Sequence, residues 1–293
     1  MFITSLFIFN SNVMKRFVVK ILLYILVLAF ITMPIEIYKI KNAIVSIEEI
    51  NGGEVYIAIK KAQTKTKIKR VLLGDSVGNQ LYPCAHDYDS IVSLACNQAI
   101  TMAGQYFLLK NFVEINRENL PEEVILLIRP SSLTNDVDEC AYQYFLKPFP
   151  PHEYSRFYTK YLKERIHSIP FYWTANLPFI QTSNYSPRKA VPSMQSTKSM
   201  SKTSYEYLVK MYSLTLANNI AFRMVSAPVS ENSRKSMESF WANLPHEYEV
   251  SLKPLLQLYR ESVEFMPAEW YFDGIHFAKE KVPEDYLGLL STD

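Results

Sequence analysis

The strongest feature in the hydropathy pattern is the run from Phe17 to Ile35 (FVVKILLYILVLAFITMPI), where Lys20 is the only charge. Its length suits one crossing of a bilayer core, and a lysine near its end can extend its stem back to the headgroups. The pattern predicts a transmembrane anchor over 17–38, an N-terminal segment over 1–16 and a juxtamembrane linker or helix over 39–68. No A-x-A-like site follows the run, and Pro34 and Glu36 stand where small residues would be needed, so an uncleaved anchor is favoured over a signal peptide. Residues 1–13 carry no charge, whereas Met14-Lys15-Arg16 opens like an ordinary n-region, which makes Met14 an alternative start. Lys15 and Arg16 before the run and Lys39 and Lys41 after it leave too small a charge bias to fix orientation.

Beyond the anchor, short apolar runs alternate with helical spacing. Val71-Leu72-Leu73, Ile91 to Cys96, Val124 to Ile128 and Ile220 to Val225 read as strands, and Thr101 to Asn116 reads as a helix between the second and third. Strand, helix, strand is the order of a parallel sheet covered by helices, so the expectation is an α/β fold with three αβα layers over 69–293. Thr203 to Ala217, Lys253 to Phe265 and Pro283 to Leu290 are further helix predictions. Residues 181–204 (QTSNYSPRKAVPSMQSTKSMSKTS) break the pattern and read as a long exposed loop. Tyr154, Phe157, Tyr158 and Tyr161 fall at i, i+3, i+4 and i+7, the spacing of a buried stripe rather than a sugar-stacking platform.

Composition narrows the function classes. Lys+Arg 31 against Asp+Glu 29 leaves a net charge of +2, with no basic footprint for nucleic acid. The lysines and arginine from Lys60 to Arg70 read as a solvated helix face rather than a lipid-binding patch. Cys84, Cys96 and Cys140 form no C-x-x-C pair; one disulfide and three buried thiols both remain open. His152, His167 and His246 have no ligand-spaced partners, so no metal and no cofactor is implied. The chain has seven glycines, against about 20 at average usage of roughly 7%.

Several of those glycines sit among the residues able to do chemistry. The first strand runs into Gly74-Asp75-Ser76-Val77-Gly78. A serine just past a parallel strand, at a helix N-terminus, suits a nucleophile, because backbone N–H groups there face developing negative charge. Near the other end, Asp273-Gly274-Ile275-His276 offers a carboxylate three residues before a histidine, with a glycine letting the chain turn between them. Gly74 to Gly78 also satisfies G-x-S-x-G, but no oxyanion loop of the HGGG type is present and acid and base are neighbours in sequence, which disfavours the α/β-hydrolase elbow.

The GDS after the first strand together with D-x-x-H near the C-terminus resembles the GDSL-like SGNH hydrolase superfamily, over about Lys69 to Pro283. The resemblance implies a flavodoxin-like three-layer fold and esterase, deacetylase or O-acyltransferase chemistry. It makes Ser76 the nucleophile, His276 the general base and Asp273 the residue that orients it. It places the oxyanion between the Ser76 N–H, a backbone N–H at Met102 or Gly104, and the Asn135 side chain. Asn97 matches the family's second-block asparagine, and Met102 then stands where the donor glycine normally lies. Asn135-Asp136 lies farther from the third strand than usual, and Ser131 or Ser132 is an alternative donor. His86, just past the nucleophile helix, is a pocket candidate. The expected function is therefore a serine esterase at the cell membrane, with its catalytic domain outside the cytoplasm, acting on an O-acylated glycan or small ester. The alternatives are an O-acetyltransferase, and a domain without turnover that binds polysaccharide or an assembly partner.

Overall fold

The apolar run near the N-terminus folds as one helix, α1 (Ser11–Lys41), in a computed structural model that describes residues 11–41, 52–137, 142–176 and 199–290. Within it Val13–Pro34 has a mean hydropathy of 2.4 and is entirely unburied, which is compatible with membrane association by length and composition. α1 belongs to one unit, Met1–Ser46, and the remainder, Ile47–Asp293, forms a second. Cys140 and positions 181–198 of the expected loop lie outside the described residues.

The second unit runs α2 (Gly53–Ala62), β1 (Arg70–Gly74), α3 (Ser76–Leu81), β2 (Ile91–Ser93), α4 (Thr101–Ile115), β3 (Glu123–Ile128), α5 (Pro151–Tyr154), α6 (Lys160–His167), α7 (Lys202–Ala217), β4 (Ala221–Ser226), β5 (Val229–Ser230), α8 (Arg234–Ala242), α9 (His246–Ser251), α10 (Lys253–Glu261) and β6 (Phe265–Met266). Four strands form a parallel sheet in the order β2-β1-β3-β4, and β5 and β6 form a small parallel pair. The ladder between β1 and β2 carries on past Ser93, with Leu94 N–H donating to Leu72 O and Cys96 N–H to Gly74 O.

Side chains alternate across the sheet, and both faces are buried. Val71, Leu73, Val124 and Leu126 point into one apolar cluster with residues of α2, α4 and α7. Leu72, Ile125 and Leu127 point into another with Val77 and Leu81 of α3 and with Tyr271 and Phe277 from the C-terminal segment. Two-sided burial explains why β1 and β3 read as continuous apolar runs. It also fixes the placement that matters most here: a short helix and the C-terminal segment share one face, so residues some 200 positions apart meet above β1.

Three expectations change. The sequence predicts a juxtamembrane linker or helix over 39–68, outside the domain, but α2 within it buries Val55, Ala58 and Ala62 completely in the core. Its small apolar residues at i, i+3 and i+7 form the inner face, while Lys61 on the outer side pairs with Asp87 at 2.8 Å. Pro283 to Leu290 is not a helix. The Asp285 backbone turns to φ 42, and its carboxylate accepts from Leu289 and Leu290 N–H, which closes a turn instead. The aromatic stripe is interrupted rather than one continuous helix, because a 3-10 turn at Ser155–Phe157 separates α5 from α6. Tyr154 and Phe157 are nonetheless buried against the ring of Phe107. At the end of the expected loop, the Ser201 hydroxyl accepts from Ser204 N–H and caps α7.

Gly74 and Gly78 have a packing role. A Cβ on either would stand 2.7 Å from the Leu127 carbonyl oxygen, so the absence of side chains lets α3 settle directly on β3. Gly78→Ala is expected to destabilise the protein by about 1–3 kcal/mol through overpacking. A thermal melt checks this; an unchanged melting temperature would show that the helix can shift to make room.

Candidate active site

The turn from β1 into α3 is built around Asp75, which is 1% exposed. Its Oδ1 accepts from Val77 N–H (3.0 Å) and Gly78 N–H (3.1 Å), the N-cap arrangement for α3. Its Oδ2 accepts from Arg129 N–H (2.8 Å) and from the Ser132 hydroxyl (2.6 Å). One carboxylate thus starts the helix and ties it to the end of β3. Ser76 follows as the first residue of α3 and is partly exposed. With Val77 and Gly78 N–H occupied by Asp75, the Ser76 N–H is the one in this first turn without an acceptor among the described residues.

Residues Tyr271 to Phe277 fold back on themselves. Phe272 N–H donates to His276 O, Tyr271 bridges Phe277 in antiparallel fashion, and their rings stack 4.7 Å apart. Gly274, at φ 79, supplies the left-handed position that this reversal requires. Asp273 Oδ1 accepts from Ile275 N–H (2.8 Å) and His276 N–H (2.7 Å), and Oδ2 lies 2.7 Å from His276 Nδ1. His276 Nε2 in turn lies 2.8 Å from Ser76 Oγ. The chemistry assigns the ring tautomer: Nδ1–H donates to the carboxylate, and Nε2 accepts the serine proton. Burial works against the charge on Asp273, but the hydrogen bonds from the His276 ring and from the two backbone N–H groups outweigh it and hold its carboxyl below the usual range.

The sequence reading missed Gln80, whose side chain clamps this loop to α3. Its Nε2 donates to Phe277 O (3.2 Å) and its Oε1 accepts from Phe277 N–H (3.0 Å), next to His276. The available signal was spacing alone: Gln80 is four residues after Ser76 and so shares its helix face.

The remaining proposed residues have separate positions. Met102 is the second residue of α4, in the first turn, where the helix supplies no acceptor for its N–H. Gly104 is the fourth, a position whose N–H joins the helix ladder, and its missing Cβ makes room for Ile100. Ser132 is spent on Asp75, and Ser131 is exposed. The Asn135 amide reaches the Gln98 carbonyl at 3.5 Å, while Asp136 accepts from the Tyr161 and Thr203 hydroxyls and ties this turn to α6 and α7. His86 is exposed with its ring tilted against Tyr88, and no described hydrogen bond joins it to Ser76 or His276. Cys84 and Cys96 are buried free thiols, and burial pushes the Cys84 thiol up to about 11. A cavity of about 550 Å³ opens at the N-terminal ends of the strands, among Lys67, Arg70, Ser90 and Asn119, away from the serine and histidine.

No family model matches this chain, and no curated protein matches it. Among solved structures, one described as "the structure of a putative platelet activating factor from Streptococcus pneumonia" is 12% identical, with 77% of this chain and 87% of that chain covered and a TM-score of 0.31. A likeness at that score carries no weight for fold or chemistry, so the functional reading stands on the geometry around Ser76.

Proposed function

We propose that this protein is a serine esterase or acyltransferase of the SGNH type, held at a membrane by α1, with Ser76, His276 and Asp273 as its catalytic residues. The observation that supports this most is the unbroken line from Ser76 Oγ to His276 Nε2 and from His276 Nδ1 to Asp273 Oδ2, at 2.8 and 2.7 Å. The reading extends to an O-acylated glycan or small ester as substrate and to an extracytoplasmic catalytic domain that includes α2, over Ile47–Asp293.

Ser76 Oγ forms a bond to the ester carbonyl carbon while its proton passes to His276 Nε2. The oxyanion is received by the Ser76 N–H, by Met102 N–H at the start of α4 and by the Asn135 amide. As the carbonyl re-forms, the C–O bond to the alcohol breaks and His276 returns the proton to the departing oxygen, leaving an acyl-Ser76. Water, or a sugar hydroxyl in the transferase case, then attacks the acyl carbon with His276 taking its proton, and Ser76 recovers that proton as the acyl group leaves. Asp273 keeps the ring tautomer and stabilises the imidazolium formed in each half.

Covalent labelling tests this directly. A fluorophosphonate probe is expected to add its phosphonyl group to the Ser76 peptide, read by mass spectrometry, and prior denaturation should abolish labelling. Labelling elsewhere, or none on folded protein that also fails to hydrolyse p-nitrophenyl acetate, would favour a domain that binds without turnover.

A further inference from the structure

Arg129 leaves β3 beside the nucleophile. Gly74 pairs with Leu127 in the β1–β3 ladder, so Ser76 and Arg129, each two residues further on, emerge from adjacent strands at the same level. Arg129 is 5% exposed, its Nε is buried without a hydrogen-bond partner, and no described ion pair or side-chain hydrogen bond engages the guanidinium. Burial disfavours its charge, and the surrounding Asp75, Tyr271, Tyr259 and Asp273 offset this in part. Arginine nevertheless remains protonated in proteins, so this is a buried cation with its donors unspent.

The two carboxylates near it are already occupied. Asp75 takes four donors, and Asp273 takes two backbone N–H groups and the imidazole. Neither needs the guanidinium as a hydrogen-bond partner. Tyr259 donates its hydroxyl to Ile128 O. The Tyr271 hydroxyl, by contrast, is buried without a partner, so a second unspent donor sits in the field of the first.

We infer that Arg129, with the Tyr271 hydroxyl, receives an anionic group of the substrate, so that the ester taken by this site carries a carboxylate or a phosphate near its scissile bond. The inference rests on the esterase reading of Ser76. A planar guanidinium matches either anion with two parallel N–H···O bonds, and an anion arriving there would satisfy donors that the folded chain leaves open.

The test is competition against a neutral ester. Hydrolysis of p-nitrophenyl acetate by the full chain in detergent is measured with added succinate or inorganic phosphate, ionic strength being held constant with chloride. Competitive inhibition by succinate alone assigns a carboxylate, and by phosphate alone a phosphate. The inhibition constant is expected to rise about tenfold to a hundredfold in Arg129→Gln and to recover in part in Arg129→Lys. If Arg129→Gln does not fold, wild-type competition and Arg129→Lys decide. Wild-type hydrolysis that neither anion inhibits competitively would overturn the inference and leave the esterase reading intact. Absence of wild-type hydrolysis would overturn both. Equal inhibition of wild type and Arg129→Gln would place the anion elsewhere and overturn the inference.

Discussion

Ser76→Ala is expected to lower p-nitrophenyl acetate hydrolysis by at least about a thousandfold, with little change in melting temperature. The two halves of this expectation come from the same geometry. The Ser76 hydroxyl makes one described hydrogen bond, to His276 Nε2, and the serine side chain is only partly buried, so its loss opens no large cavity and strands no buried donor. In the proposed mechanism, however, catalysis loses the atom that would form the acyl bond. His276→Ala is expected to cost a similar factor, and the double variant no more than either single one, because a nucleophile without its base and a base without its nucleophile are equally idle. Additive losses would show that the two residues act independently and would remove the support for an acyl-enzyme. Unchanged hydrolysis in Ser76→Ala would remove the mechanism altogether.

The four strands of the main sheet and the two motifs that meet at Ser76 are legible because their signals are local, whereas β5 is not predicted and Phe265 of β6 is expected to end a helix. β1 and β3 are apolar after their charged first residues Arg70 and Glu123, and Gly74-Asp75-Ser76 and Asp273-Gly274-Ile275-His276 each set their candidate groups in a few adjacent residues. What stayed hidden depends on contacts between distant segments. Asp75 reads as part of a motif or as a cap, and nothing local says that its second oxygen holds Arg129 N–H and the Ser132 hydroxyl. Gln80 gives no warning that it will clamp Phe277 across 197 positions. Lysines at 60 and 61 obscured the inner face of α2, although the small residues that form it were present in the sequence. Gly74 and Gly78 flank the candidate nucleophile, a place where glycine can let backbone approach a reacting atom. For Gly74 and Gly78 the atom approached is instead the Leu127 carbonyl oxygen, so they seat α3 on the sheet and act on Ser76 only by fixing where its helix begins.

That dependence makes Asp75 a residue whose loss should disturb the folded unit as well as the site. In Asp75→Asn one carboxylate oxygen becomes an NH2 donor, and both sides of the group face donors. Placed toward α3, the NH2 would oppose Val77 and Gly78 N–H, neither of which can turn away. Placed toward β3, it would oppose Arg129 N–H and the Ser132 hydroxyl; the hydroxyl can rotate to accept, with Gln98 Oε1 3.4 Å away as another partner, but the Arg129 N–H is fixed by the backbone. The second orientation is therefore preferred and leaves at least one buried backbone donor unpaired. The cost is about 2–4 kcal/mol, or a melting temperature lower by roughly 4–16 °C at 2–4 °C per kcal/mol for a unit of this size. Asp75→Ala removes the acceptors for all four donors and is expected to be worse. Thermal unfolding followed by tryptophan fluorescence checks both variants. An Asp75→Asn melt equal to wild type would mean that the turn between β1 and α3 is held by something other than this carboxylate.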